Sequence, residues 1–210
     1  MRGDDSGSAA APGGADEIRL SLESEVWERF FQVAPLVLVG SRDRDGGHDL
    51  APKHMAIPVG HDNYYGFACT PRHATYRNVS ARDAFTVSFP RYEQVLEIAL
   101  AAGPRTDEGT KPSLAALTTR PAHAVDGVLV DGCAAWLECE RHAIVDGLGG
   151  AAFIIGRVVA ASVAEDALRA AERDDAELIF GCPPIAYLHP LRIAQVAETT
   201  AMPFPRGFRW

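Results

Sequence analysis

The residues whose types suit chemistry fall in two short segments, 52–56 and 72–78. The second segment combines a guanidinium, a hydroxyl and a carboxamide at Arg72, Thr75 and Asn78. A phosphate group requires positive charge and several hydrogen-bond donors, and the free backbone N–H groups at the start of a helix supply more of both. Taken alone, this spacing is more typical of a solvated helix face with a local cap, so the surrounding elements must decide.

The first segment, Pro-Lys-His-Met-Ala, places a lysine and a histidine among apolar neighbours. Lys53 is interpreted with equal weight as a ligand-binding cation or as an edge-strand charge that blocks aggregation. His54 and His73 are the candidate catalytic residues, since a histidine can exchange a proton near neutral pH. A single histidine is more often structural, and only proximity to the two segments makes these two candidates.

The two segments lie among short β-prone runs that are separated by turn residues. Strands are predicted at 35–41, 48–58, 64–70, 84–89, 134–145, 153–163 and 191–196, with turns at 43–47, 60–63 and 146–150. A helix is predicted to begin at Ser24 and to cover a sheet with Val26, Trp27, Phe30 and Phe31, and others are predicted at 73–81, 92–100 and 164–178. Strands in hairpin order, the first three forming a meander, favour an α+β, mainly β fold around an antiparallel barrel over a doubly wound sheet.

The chain is predicted to be a single domain at 17–210, preceded by a disordered leader at 1–16. The leader is rich in Gly, Ser, Ala, Pro and Asp and lacks hydrophobic periodicity. Within the domain, residues 90–132 form an excursion of helix and loop that separates two groups of strands.

Composition argues against several classes of protein. The formal net charge of -8 repels polynucleotides, so nucleic acid is not an expected partner. The longest apolar stretch, 151–164, is interrupted by Arg157 and is too short to cross a bilayer, and the first residues lack a secretory signal pattern. A cytoplasmic location is therefore expected, with no membrane partner and with the four cysteines reduced.

Together, these motifs resemble the flavin-reductase-like FMN-binding family, whose fold is a split β-barrel with flanking helices. The resemblance is carried by the segments 34–40, 50–58, 70–78, 83–89, 136–140 and 155–158, the third of which contains the spacing Arg-x-x-Thr-x-x-Asn. It implies a homodimer with FMN at the dimer interface and with NADH or NADPH as electron donor. The implied function is that of an FMN-dependent NAD(P)H oxidoreductase that passes electrons to a small-molecule or protein acceptor.

The resemblance also implies where the cofactor binds. The FMN phosphate is expected at Arg72 and Thr75, and the isoalloxazine ring against 52–56, where Lys53 and backbone donors would face its N1 and C2 oxygen. The expected cofactor-binding residues are Pro52, Lys53, His54, Met55, Ala56, Cys69, Thr70, Arg72, Thr75 and Asn78. No metal site is expected.

Two alternatives stay open. The family often has Gly-Asp-His before a Gly-x-Val strand, where this chain reads Gly-Gly-Ala-Ala-Phe at 149–153. That difference favours a protein that holds FMN as an electron carrier without nicotinamide turnover. The sequence at 147–152 also fits the dinucleotide fingerprint G-x-G-x-x-A of a Rossmann-type dehydrogenase. Because the residues that follow are β-prone, a hairpin turn is preferred there.

Overall fold

The computed structural model describes residues 17–170 and 172–205, so the predicted leader at 1–16 lies outside the described residues. The strands are β1 (Gln32–Pro35), β2 (Val37–Arg42), β3 (His48–Lys53), β4 (Ala56–Pro58), β5 (Tyr64–Cys69), β6 (Ala84–Phe89), β7 (Thr119–Pro121), β8 (Val128–Val130), β9 (Ala135–Leu148), β10 (Ala151–Val163), β11 (Ile185–His189) and β12 (Arg192–Gln195). The α-helices are α1 (Ala74–Arg82), α2 (Val95–Ala101) and α3 (Asp175–Gly181). Short 3-10 helices lie at Val26–Glu28, Tyr92–Gln94, Pro112–Ala116 and Glu165–Ala167.

Seven strands form one curled antiparallel sheet in the order β3-β2-β6-β9-β10-β5-β4. The β2–β3 hairpin closes with a hydrogen bond from Asp43 N–H to the Gly47 carbonyl at 2.9 Å, and Gly46 supplies the positive φ of 94° that the turn requires. Smaller sheets join β1, β11 and β12, and β7 with β8. The predicted α+β, mainly β split-barrel architecture is confirmed.

The main sheet is buried on both faces along its central strands. Val37 and Val39 of β2 face a cluster that contains Phe67 and Phe85, whereas Leu38 faces a second cluster around Leu129 and Trp136. A strand that packs on both faces reads as a continuous apolar run, which is what 36–39 shows. The second cluster is formed largely by the excursion, so this segment completes the core.

The predicted strand at 48–58 is two strands in the structure. His54 and Met55 separate β3, which pairs with β2, from β4, which pairs with β5. The predicted three-stranded meander is therefore wrong, because the chain changes its pairing partner at the segment that was expected to bind the ligand.

The helix predicted from Ser24 is wrong. Only the 3-10 turn Val26–Glu28 forms there, and the chain continues into β1, which pairs with β11. That pairing joins residues more than 150 positions apart in sequence, Val33 with Leu188 for example. The apolar spacing that suggested a buried helix face instead leaves Trp27 and Phe31 exposed.

The helix predicted at 164–178 is also wrong. The structure has the 3-10 turn Glu165–Ala167 and then α3, which begins after Asp174. The Asp174 carboxylate accepts hydrogen bonds from the N–H groups of Ala176 and Glu177, so a strong N-cap lies inside the predicted helix. The excursion likewise contains the hairpin β7–β8, and the tail contains β11, neither of which was predicted.

The long hairpin β9–β10 decides against a Rossmann unit. The two strands pair antiparallel along nearly their whole length, and the glycines at 147–150 form the turn between them. The residues that a Rossmann fingerprint would place at a helix start are paired in β10, so the Rossmann-type alternative is wrong. Across the described part of the chain, no helix is long and apolar enough to cross a membrane.

Candidate functional site

A cleft of about 400 Å³ brings the two predicted segments together. It lies between the end of β3, the start of α1 and the polypeptide that follows α2. We call it the cationic cleft because five basic side chains line it against one carboxylate, that of Asp49. These basic residues are Lys53, Arg72, Arg77, Arg105 and Lys111. The net positive charge favours an anionic ligand.

The α1 wall of the cleft presents an uncapped helix start. His73 precedes the helix in an extended conformation, and its side chain forms no capping hydrogen bond. The turn before it is closed by a hydrogen bond from His73 N–H to the Thr70 carbonyl at 2.9 Å, which places Arg72 and His73 at the cleft. First-turn N–H groups without a side-chain cap are suited to an anion.

Lys53 lies at the floor of the cleft. It is 9% exposed, and within the described residues it forms no ion pair. Its ammonium lies beside the buried Cys69 thiol, whose pKa is raised mainly by burial, with Lys53 acting in the opposite direction. A buried charge without a counterion is unfavourable, so an anion bound in the cleft would stabilise Lys53.

Thr75 and Asn78 act differently from the prediction. The Thr75 hydroxyl donates to Asp49 Oδ2 at 3.4 Å, and the Asn78 amide donates to Asp43 Oδ1 at 2.8 Å and to Ser41 Oγ at 3.1 Å. Thr75 borders the cleft, whereas Asn78 does not. These hydrogen bonds hold the inner face of α1 against the β2–β3 hairpin. Because Arg72 lies just before α1, this packing also helps to position Arg72 at the cleft.

The other wall of the cleft contains residues that the sequence did not suggest. Arg105 and Lys111 come from the excursion, and both pair with Asp49, at 3.1 and 3.4 Å. In the sequence they stand in an ordinary polar loop. Asp43 lies 62 residues before Arg105, and Asp49 lies 62 residues before Lys111, so no local signal in the sequence links these partners.

The segment 52–56 borders three hollows rather than one. Pro52 and Lys53 line the cationic cleft. Pro52 and His54 also line an apolar cleft of about 450 Å³ with residues of α2 and with Tyr187. His54, Met55 and Ala56 line a third hollow of about 330 Å³ that includes Trp27 and Phe153. The segment is thus the boundary between a charged site and two apolar ones.

The two candidate catalytic histidines lie on different sides of that boundary. The His54 ring packs on Tyr187, with ring centroids 4.5 Å apart, and on His189 at 5.7 Å. Burial lowers its pKa, and His189 and Lys53 lower it further. His73 lines the cationic cleft, and its pKa is lowered by burial and then by Lys53 and Arg72. Both imidazoles are therefore mainly neutral at pH 7.

With this geometry established, the relationship to known proteins is clear. Residues 32–188 match the family model described as "Flavin reductase like domain". The chain belongs to the flavin-reductase-like family. Membership implies a flavin cofactor and a flavin-related oxidoreductase activity.

Three proteins similar to this chain share 21–27% of its sequence. An uncharacterized protein from Methanothermobacter thermautotrophicus is 27% identical over 136 residues, which is 63% of this chain and 64% of the relative, so the match spans less than two thirds of that relative. The flavoredoxin of Desulfovibrio vulgaris (Miyazaki F) has a TM-score of 0.72 at 23% identity, covering 91% of this chain and 100% of the flavoredoxin. Nitrilotriacetate monooxygenase component B from Bacillus cereus has a TM-score of 0.76 at 21% identity, covering 91% and 100%. At these identities the two structures establish the shared fold.

The residues present fit a flavin that carries a phosphate. The cationic cleft offers the ammonium of the largely buried Lys53, a guanidinium at Arg72 and an uncapped helix start. The neighbouring apolar hollows offer the slot that a planar ring system requires.

Proposed function

We propose that this chain is an FMN-dependent oxidoreductase in which the cationic cleft holds the FMN phosphate and the segment 52–56 borders the isoalloxazine ring. The observation that carries the proposal is Lys53, a residue that is nine-tenths buried and whose ammonium has no ion-pair partner among the described residues, in a cleft lined by four more basic side chains. A phosphate monoester carries about -1.5 to -2 charges at pH 7, and the excess positive charge of the cleft would attract it.

The phosphate contacts come from both segments. Arg72 supplies charge-assisted donors in a planar fork, the start of α1 supplies backbone N–H groups, and Lys53 supplies an ammonium beneath them. Thr75 stays bonded to Asp49 and shapes the pocket. Mutation of Arg72 is therefore expected to weaken FMN binding more than mutation of Thr75.

The isoalloxazine ring is proposed to bind beside Pro52 and His54, which border the apolar hollows. Bound flavin supplies two-electron transfer, while the protein binds and orients it and excludes water. Lys53 and the backbone of 52–56 are proposed to face the edge of the ring where negative charge develops on reduction. The neutral His54 imidazole is proposed to hold or release a proton beside the ring.

NADH or NADPH is proposed as the electron source, with a small molecule or a protein as acceptor. The second candidate function is an electron carrier that holds FMN without nicotinamide turnover. It is favoured by the start of β10, because the chain reads Gly-Gly-Ala-Ala-Phe at 149–153 instead of the Gly-Asp-His pattern that the resemblance led us to expect there. A cytoplasmic location is proposed for either function.

A homodimer is proposed to complete the site. Trp27, Phe31, Val33, Met55 and Ile57 are between 47% and 73% exposed, and four of them line or adjoin the hollow that contains Ala56 and Phe153. Monomeric soluble proteins rarely expose contiguous apolar surface of this kind. A second copy of the chain would cover this apolar surface and would close the part of the site proposed to hold the isoalloxazine ring.

Colour and anaerobic reduction test the proposal. Purified protein should absorb near ~450 nm, or should quench the fluorescence of added FMN, because a bound flavin does both. Anaerobic NADH or NADPH should bleach that absorbance within seconds to minutes if the protein is a reductase. Persistent colour would support the carrier instead. Colourless protein that leaves FMN fluorescence unchanged would refute both.

A further inference from the structure

The excursion reaches back to the cationic cleft through Arg105 and Lys111. Arg105 Nη2 lies 2.9 Å from Asp43 Oδ2 and 3.1 Å from Asp49 Oδ1. Lys111 Nζ lies 3.4 Å from the same Asp49 oxygen and donates to the Leu50 carbonyl at 2.8 Å. Asp43 follows β2 and Asp49 lies in β3, so the excursion is fastened to the barrel beside the cleft.

These ion pairs are sheltered from water. The side chains of Lys111 and Asp49 are only 7% and 5% exposed, and that of Arg105 is 26% exposed. Charges in such a setting are weakly screened, and a carboxylate that loses its partner there is strongly unfavourable. The contacts therefore hold the loop in one place, unlike pairs on an open surface.

The same two carboxylates are bonded from the opposite wall. Asn78 donates to Asp43 and Thr75 donates to Asp49, both from the inner face of α1. Each carboxylate thus connects α1 to the excursion. A displacement of either wall would change the position of the other.

We propose that Arg105 and Lys111 form the second wall of the phosphate site and that Asp43 and Asp49 are the residues that position them. The inference rests on the proposed function, because its ligand is the FMN phosphate. Asp49 lines an anion site and would repel a phosphate if it were unpaired. The two excursion cations neutralise it, and the charge of Lys53 and Arg72 then remains available to the ligand.

It follows that the excursion determines specificity for a phosphorylated flavin. Riboflavin has the same ring system as FMN but no phosphate, so its binding should depend little on the charge of the cleft. Arg105→Ala leaves Asp43 and Asp49 with one cation fewer. We expect FMN affinity to fall by about tenfold to a hundredfold, as for a lost charge-assisted contact, and riboflavin affinity to stay within about twofold.

The experiment titrates flavin-stripped full-length protein with FMN and with riboflavin and follows quenching of flavin fluorescence. The variants are Arg105→Ala, Arg105→Lys and Asp43→Asn, and the control is Arg169→Ala. Arg169 forms an ion pair with Asp175, 2.7 Å long, on the exposed surface by α3, so its loss removes an arginine without touching the cleft. Thermal unfolding confirms that each variant is folded.

The expected result is a lower FMN-to-riboflavin affinity ratio for Arg105→Ala and Asp43→Asn, partial recovery in Arg105→Lys, and no change in Arg169→Ala. A general structural defect would lower the affinity for both flavins equally, and that outcome would overturn the inference. So would unchanged FMN binding in Arg105→Ala while the wild type binds FMN. A wild type that binds neither flavin would instead overturn the proposed function itself.

Discussion

Two buried lysines on the cationic cleft should respond in opposite ways to the same substitution. Lys53 is 9% exposed and forms no ion pair among the described residues, whereas Lys111, whose side chain is 7% exposed, pairs with Asp49. Methionine has a similar length and keeps the apolar stem of the side chain. Lys53→Met therefore removes a charge that has no counterion, whereas Lys111→Met removes a counterion of Asp49.

The magnitudes follow from burial. Removing a charge that has no counterion from a residue nine-tenths buried should raise the free energy of unfolding of the flavin-free protein by about 1–3 kcal/mol. Lys111→Met leaves Asp49 with Arg105 alone, and should lower the free energy of unfolding by about 2–3 kcal/mol. Both variants should lose FMN affinity, Lys53→Met by about tenfold to a hundredfold, because a charged contact to the phosphate is gone.

Urea unfolding of the flavin-free variants measures the first effect, and FMN titration measures the second. With a slope of about 2 kcal/mol per M, the two midpoints should move in opposite directions by about 1 M each. A Lys53→Met variant that is less stable than wild type, and that binds FMN equally well, would refute the reasoning. It would show that Lys53 already has its stabilising partner within the protein.

Three further predictions concern other parts of the molecule. Glu138→Gln should lower the free energy of unfolding by about 1–3 kcal/mol in urea unfolding, because the buried carboxylate accepts hydrogen bonds of 2.5 to 3.2 Å from the N–H groups of three successive residues at 123–125; an unchanged midpoint would contradict this. Val33→Asp should shift the proposed homodimer to monomer in light scattering, because it places a charge in the exposed apolar surface, and an unchanged mass would argue against that interface. Burial lowers the pKa of His54 below 6.5, so at pH values between the folded and unfolded pKa the unfolded state binds more protons than the folded state. The free energy of unfolding therefore falls as the pH drops below 6.5. His54→Phe should reduce the loss measured by urea unfolding between about pH 7 and pH 5.5.

The sequence was informative where function depends on nearby residues. Arg72 lies just after a strand end that local patterns could predict. Lys53 was expected within one long strand at 48–58 and instead ends β3, and the fold brings both residues to one cleft. The turn at 43–47 and the hairpin at 146–150 were predicted for the same reason, since glycine and aspartate specify such turns locally.

The sequence was uninformative about contacts between residues that are far apart in the chain. Asn78 matches a ligand-binding pattern, yet its amide is bonded to Asp43, which lies 35 residues earlier. Arg105 and Lys111 become part of the site only because the excursion folds back on β3. The helix expected from Ser24 gave way to β1 because the partner strand β11 lies near the other end of the chain.

The phosphate itself provides the most direct test that the cationic cleft holds FMN. The second pKa of a phosphate monoester is about 6 in water, and surrounding cations lower it by favouring the dianion. The ³¹P resonance of FMN bound to the purified protein should therefore stay constant between about pH 5.5 and pH 7.5, while that of free FMN titrates. A bound phosphate that titrates like free FMN would lie in solvent and would contradict the account.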